Sequence, residues 1–133
     1  MNGLSERCLL DTNAVVSLLR GHGELLVLTR QARWVGISII TEIEFRAFPD
    51  LAPEDAQLFA DFIGRVTVID LAHQDSRLLD QVIALRQNHR LRLPDAVVVA
   101  SALIHDACLV TADRELLGLE SRVEALQTLA FSA

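Results

Sequence analysis

Four acidic residues occupy positions from which carboxylates can do chemistry. Asp11 closes the apolar run Leu9-Leu10, and Asp113 follows Leu109-Val110-Thr111-Ala112. Glu44 comes shortly after the β-branched run that begins at Trp34, and Asp95 directly follows Pro94. In an open parallel α/β sheet, ligands bind beyond the carboxyl ends of the strands, so acids at strand ends and in the helical turns after them can converge on one site. Convergence is costly: like charges about 4 Å apart repel by about 4 kcal/mol per pair at an effective dielectric near 20. A compensating cation is required. The chain has no lysine, its 12 basic residues all being arginine, and one arginine could neutralise only one acid. A hard divalent cation with oxygen ligands meets the need, and Mg²⁺ or Mn²⁺ suits an all-carboxylate set. The reaction such a centre best supports is phosphodiester hydrolysis, in which one metal lowers the pKa of an attacking water and a second stabilises the leaving oxygen. Nucleic acid is the natural substrate. Asn13 and Thr111 each stand two residues from a strand-end acid and can orient it.

Each acid also has a local role open to it. Asp11 and Asp113 can form turns or cap helices. Glu44 lies three residues after Thr41, the spacing of a capping box, and Asp95 in a first helical turn suits the helix dipole. Periodicity distinguishes Glu44 from Glu42. Ile40, Glu44 and Phe48 form one i, i+4 row, which puts Glu44 on the apolar side, whereas Glu42 shares its row with Arg46 and reads as a solvated ion pair.

The elements that must position these residues follow from the alternation of short apolar runs with helical periods. Strands are expected at Cys8 to Leu10, Trp34 to Ile40, Val66 to Asp70, Cys108 to Thr111 and Val123 to Leu129. Between them helices are expected at Ala14 to Arg20, closed by Gly21 and Gly23, and at Glu24 to Ala32. Another runs from a cap at Thr41 to near Phe48 and Pro49, and one starts at Pro53 with Leu58, Phe59, Phe62 and Ile63 on a buried face. A long helix spans Asp75 to Asn88 with Leu78, Leu79, Val82 and Ile83 inward. Pro94 to His105 and Arg114 to Leu119 complete the set. The pattern is a three-layer α/β/α sandwich with a mostly parallel sheet of about five strands, a single domain over residues 1–133.

Composition narrows the classes further. With 18 acidic against 12 basic residues the net charge is −6, which argues against binding a polyanion through a broad basic face. The absence of lysine excludes Schiff-base enzymes and Walker-type phosphate loops. The longest apolar stretch, Ala96 to Ile104, is half the ~20 residues a membrane span needs, and the N-terminus lacks a signal-peptide core, so a cytoplasmic protein is expected. Cys8 and Cys108 sit in strand-like segments and read as buried thiols without catalytic role. Arg46, Arg92 and Arg114, close to the acids in sequence, are candidate phosphate contacts.

Leu9-Leu10-Asp11-Thr12-Asn13, Ser38 through Glu44-Phe45, Leu93-Pro94-Asp95-Ala96 with Ala100, and Leu109-Val110-Thr111-Ala112-Asp113 resemble the successive motifs of PIN-domain ribonucleases. The chain is similar more narrowly to VapC toxins of toxin–antitoxin pairs, from Leu9 to Leu116. The resemblance assigns Asp11, Glu44, Asp95 and Asp113 to Mg²⁺ or Mn²⁺ coordination and catalysis, with Asn13 and Thr111 in support, and it selects Glu44 over Glu42. It implies endonucleolytic cleavage of RNA, inhibition by a cognate VapB-type antitoxin and a homodimer. An antitoxin groove is expected among the helices of the first half, with Val15, Leu18, Leu19, Phe59 and Phe62 as candidates against their competing role as core. One departure is Leu116, where the family commonly carries an aromatic side chain; as a packing position it should leave the chemistry unaffected.

Two other readings compete. A phospho-acceptor role for Asp11, as in response-regulator receivers or haloacid-dehalogenase-type phosphatases, lacks the lysine both require, and Asn13 stands where the phosphatase motif needs an acid. The alternative that keeps the fold is a catalytically inert PIN-like binding module in a regulatory complex.

Overall fold

The computed structural model describes residues 6–132. Five strands, β1 (Arg7–Leu10), β2 (Trp34–Ser38), β3 (Thr67–Ile69), β4 (Cys108–Thr111) and β5 (Thr128–Ala130), form one sheet in the order β3-β2-β1-β4-β5. Every pairing is parallel. The helices are α1 (Thr12–Leu19), α2 (Gly23–Gln31), α3 (Ile39–Arg46), α4 (Pro53–Ile63), α5 (Ser76–His89), α6 (Leu93–Ile104) and α7 (Arg114–Gly118), with a 3₁₀ turn at Leu119–Ser121.

Alternation along the strands builds two cores. Leu9 and Leu109 point into the one beneath α5 and α6, while Leu10 and Val110 point into the one beneath α1 and α4. Residues Ala96 to Ala102 of α6 are buried without a break, because this helix lies against α5 and three strands, and small side chains permit the approach. A helix apolar all round is one without a solvent face. Among the described residues no helix is long and apolar enough to cross a membrane. Cys8 and Cys108 are in register on adjacent strands and buried, and burial pushes their thiols up to about 11 and about 12.

The boundaries depart from expectation in ways that have physical causes. The second strand stops at Ser38, whose hydroxyl accepts from the Ile40 N–H at 3.1 Å and caps α3, so the helix starts two residues before Thr41. Thr41 is buried inside the helix and is not its cap. Gly23 opens α2, while Gly21, at φ 90°, makes the turn before it. Leu58 and Ile83 are exposed, and the inward positions of the long helix are Leu78, Val82 and Leu85. A strict i+3/i+4 row includes flanking positions that no neighbouring element covers. The last strand is three residues long, because the turns that follow the 3₁₀ segment take up Val123 to Ala125, the expected start of it.

At the amino ends of the strands, the Trp34 indole stacks on His105 at 5.5 Å, with the Arg7 guanidinium 4.5 Å from its centre. A Cβ added at Gly36 would run into the same indole. Gly36→Ala should therefore destabilise the fold by about 1–3 kcal/mol, the usual cost of overpacking, measured as a fall in the denaturation midpoint. An unchanged midpoint would show that the indole moves aside freely.

Candidate functional site

The sheet order creates the site. From β1 the chain proceeds to β2 on one side, and β4 later pairs on the other side, so the crevice at the carboxyl ends of β1 and β4 is a topological switch point. Asp11 immediately follows β1, Asp113 lies two residues beyond β4, Glu44 is on α3 directly after β2, and Asp95 is in the first turn of α6. All four line one open cleft of about 1000 Å³.

Asp11 is the most enclosed of them, 8% exposed. Its Oδ1 accepts from the Thr12 N–H at 2.8 Å, so it caps α1, and its Oδ2 accepts from the Thr111 hydroxyl at 2.8 Å and from Asn13 Nδ2 at 3.4 Å. The Thr111 hydroxyl in turn accepts from the Asp113 N–H at 3.0 Å and from Asn13 Nδ2 at 3.3 Å. Asn13 Oδ1 accepts from the Ala112 N–H at 3.0 Å, stitching α1 to the loop after β4. Asn13 and Thr111 thus hold Asp11 in place, as their spacing from the acids suggested. Asp113 caps α7, accepting from the N–H groups of Glu115 at 2.8 Å and Leu116 at 3.4 Å. Capping and facing the cleft are not rival roles here: one carboxylate does both. Leu116 is buried, in line with a packing role.

Glu44 corrects the periodicity argument. The buried row of α3 is Thr41 and Phe45, while Glu44 is exposed to the cleft. The row of Ile40 and Glu44 lies beside the buried one, and the helix ends at Arg46, short of Phe48. Glu42 pairs with Arg46 at 2.9 Å as expected, but with 16% of its side chain exposed it is far from fully solvated. What holds Glu44 is Thr12, whose hydroxyl donates to Glu44 Oε1 at 2.5 Å with Thr41 Oγ1 3.4 Å away. Thr12 escaped the sequence reading; its partner is 32 residues distant, and its only local signal is a hydroxyl beside Asp11 at a helix start.

The electrostatics are those of crowded acids. Burial raises the Asp11 pKa above the ordinary carboxylate value; the Thr111 and Thr12 hydrogen bonds oppose the rise, and the charges of Glu44 and Asp113 add to it. Burial also raises Asp95, reinforced by Asp113 and Glu44 and opposed by Arg92. Four hard oxygen donors, with Asp11 and Asp95 raised in pKa by burial and by the charges of the other two, are chemically matched to a hard divalent cation. Among the described residues, however, no three such side chains are grouped closely enough to hold an ion as they stand.

Of the three arginines singled out by sequence proximity, none lines the cleft. Arg46 is committed to Glu42, Arg92 acts on Asp95 from the N-cap of α6, and Arg114 opens α7. The basic groups on the rim are Arg20 and His22, from the turn after α1. Val15, Leu18 and Phe59 are buried core; Leu19 and Phe62, half-buried, border a groove beside α1 and α4.

Comparison with solved structures finds the same architecture. The chain is similar to VapBC from Salmonella typhimurium in a DNA-bound crystal structure, with 20% identity, 94% of this chain and 98% of that one covered, and a TM-score of 0.71. It is also similar to VapBC2 from Rickettsia felis bound to a DNA fragment from its promoter, with 18% identity, coverage of 94% and 98%, and a TM-score of 0.70. VapBC-1 from nontypeable Haemophilus influenzae gives 21% identity, 92% and 96% coverage, and a TM-score of 0.65. At such identities the likeness is one of fold. No curated protein matches the sequence. The family model described as PIN domain matches residues 8–120, from the first strand through the 3₁₀ turn, taking in all four acids of the cleft. The strand order, the acids at the switch point and that match agree, and the chain belongs to the PIN domain family.

Proposed function

We propose that the protein is a divalent-cation-dependent endoribonuclease, the toxin of a VapBC-type toxin–antitoxin pair. The observation that carries this reading is the convergence of Asp11, Glu44, Asp95 and Asp113 on one cleft, with Asp11 and Asp95 raised in pKa by burial and by the charges of Glu44 and Asp113. Those four residues would hold the cation, which when bound supplies a Lewis acid beside the scissile phosphate. The chain's own groups do the positioning. Thr111, Asn13 and the Thr12 N–H fix the Asp11 carboxylate, the Thr12 hydroxyl fixes Glu44, and the start of α7 fixes Asp113. These bonds place Asp11, Glu44 and Asp113 along the cleft, beside Asp95 in the first turn of α6.

Similarity of fold to VapBC complexes supports a VapB-type antitoxin as partner; a homodimer acting on RNA in the cytoplasm completes the proposal. The test is cleavage. Purified protein freed of its partner should cut RNA with Mg²⁺ or Mn²⁺ and stop on addition of EDTA; cleavage that persists in chelator would falsify the reading. An inert binding module would leave RNA intact under every condition.

Thr111→Val probes the positioning. The substitution removes the hydroxyl that lowers the Asp11 pKa and leaves the Asp113 N–H without its acceptor. Losing a hydrogen bond to a charged group costs about 1.5–3 kcal/mol, so kcat/KM at neutral pH should fall about tenfold or more. Because Asp11 would then protonate at higher pH, the acid limb of the pH–rate profile should move upward. A profile that stays in place would separate Thr111 from Asp11.

A further inference from the structure

We propose that Phe48 and Arg20 form a substrate subsite on the rim of the carboxylate cleft. A single-stranded nucleic acid would stack one base on the Phe48 ring and set a neighbouring phosphate against the Arg20 guanidinium. The inference rests on the nuclease reading and deepens it by naming residues that hold the substrate.

Phe48 is 41% exposed and lines the cleft together with the four acids. The ring is braced from behind. Phe59, buried, stacks on Phe45 at 4.3 Å, and Phe45 lies 5.5 Å from Phe48 at an interplanar angle of 57°. A rigid aromatic platform facing an acid-lined cleft is what an unpaired base recognises, since every base has a π-face and stacking tolerates sequence. A duplex offers no such face. Arg20 lines the same cleft, and both residues also border a smaller apolar groove that runs on past Leu19, so they share the junction between the two.

Arg20 is the rim cation left to meet a phosphate. Among the described residues the one ion pair is Arg46 with Glu42. His22, the other basic group on the rim, is already engaged: its Nδ1 accepts from the Leu25 N–H at 3.4 Å and its Nε2 lies 2.7 Å from the Ser132 carbonyl oxygen. A guanidinium presents a planar pair of donors to phosphate oxygens. Placed beside four carboxylates, it also offsets part of the field that would otherwise repel a polyanion.

The test uses the full chain, freed of any partner, and a pool of labelled, randomised single-stranded RNA oligonucleotides. Cleavage is measured with Mn²⁺ for KM and kcat, and binding is measured with Ca²⁺ by fluorescence anisotropy over a salt series. Phe48→Leu should raise KM and Kd about tenfold, with kcat within about twofold, and Phe48→Trp should restore both. Arg20→Gln should also raise them about tenfold and lower the salt slope by about 0.7, with Arg20→Lys recovering the slope. A duplex pool should bind wild type and Phe48→Leu alike. Unchanged KM and Kd in both Phe48→Leu and Arg20→Gln overturn the subsite, and would leave the exposed ring to a protein partner in the apolar groove. If wild type binds but does not cleave, the nuclease reading fails, while the ratio of variant to wild-type affinities still decides the subsite. Both positions are exposed, and unchanged melting temperatures would exclude misfolding as the cause of any loss.

Discussion

Asp11→Asn should reduce kcat/KM for RNA cleavage at least a thousandfold, about 4 kcal/mol of transition-state stabilisation, while leaving the domain folded. The two outcomes separate because Asp11 does two jobs. As the cap of α1 it accepts from the Thr12 N–H, and asparagine caps a helix about as well as aspartate. With its one oxygen on the cap, the amide turns its nitrogen toward the Thr111 hydroxyl and the Asn13 amide nitrogen, both donors to Asp11, and this loss is offset by relief of the burial and repulsion that raise the Asp11 pKa. What the amide cannot supply is the negative charge that, with Glu44, Asp95 and Asp113, would hold a cation. The variant should therefore keep the circular dichroism and, without metal, melt within a few degrees of wild type, while losing stabilisation by Mn²⁺. Robust cleavage by a folded Asp11→Asn protein would sink the metal–carboxylate mechanism.

The second large effect is that of the cation on stability and its dependence on pH. At a hundredfold excess over its Kd, Mn²⁺ should stabilise the fold by about 2.7 kcal/mol. That corresponds to about 8 °C in Tm for a domain of this size. Asp11 and Asp95 both have folded-state pKa values above the ordinary 3.8. Their ionised forms therefore cost the metal-free fold stability at neutral pH, and the cost disappears as pH falls through the raised values toward 3.8. A bound cation removes this cost at neutral pH, and protons compete with it as pH falls. The Mn²⁺-induced rise in Tm should thus shrink steadily between neutral pH and about pH 4, and activity should decline with it. His105 acts in the opposite direction. Burial, then Arg7, lowers its pKa below 6.5, so its contribution to stability is lost as pH falls through that range. It sits at the amino ends of the strands, stacked on Trp34, far along the sheet from the acids. It therefore cancels when melting curves with and without Mn²⁺ are compared at each pH. A Tm insensitive to Mn²⁺ at every pH would overturn the proposed centre.

The sequence by itself determined the fold class and which acids stand near the carboxyl ends of the strands. Strand-length apolar runs ending in Asp11 and near Asp113, each followed by a helical period, are local signals, and a parallel α/β sheet places such ends together by construction. Asn13 and Thr111 were legible for the same reason: their spacing from the acids is short, and a side chain two residues away is within reach in any turn.

Only the tertiary structure decided which face each acid shows and what holds it. Glu44 reaches the cleft from an exposed position beside the buried row of Thr41 and Phe45, because α3 packs on one side and borders the crevice on another; a helical period cannot tell which side its neighbours cover. The bond from Thr12 to Glu44, the bond from Thr111 to Asp11 and the meeting of Phe48 with Arg20 join segments about 30 to 100 residues apart. Their proximity follows from the order β3-β2-β1-β4-β5, which sets β1 beside both β2 and β4. That order is fixed by how the crossover helices pack onto the two faces of the sheet, a non-local balance of burial that no window of sequence contains.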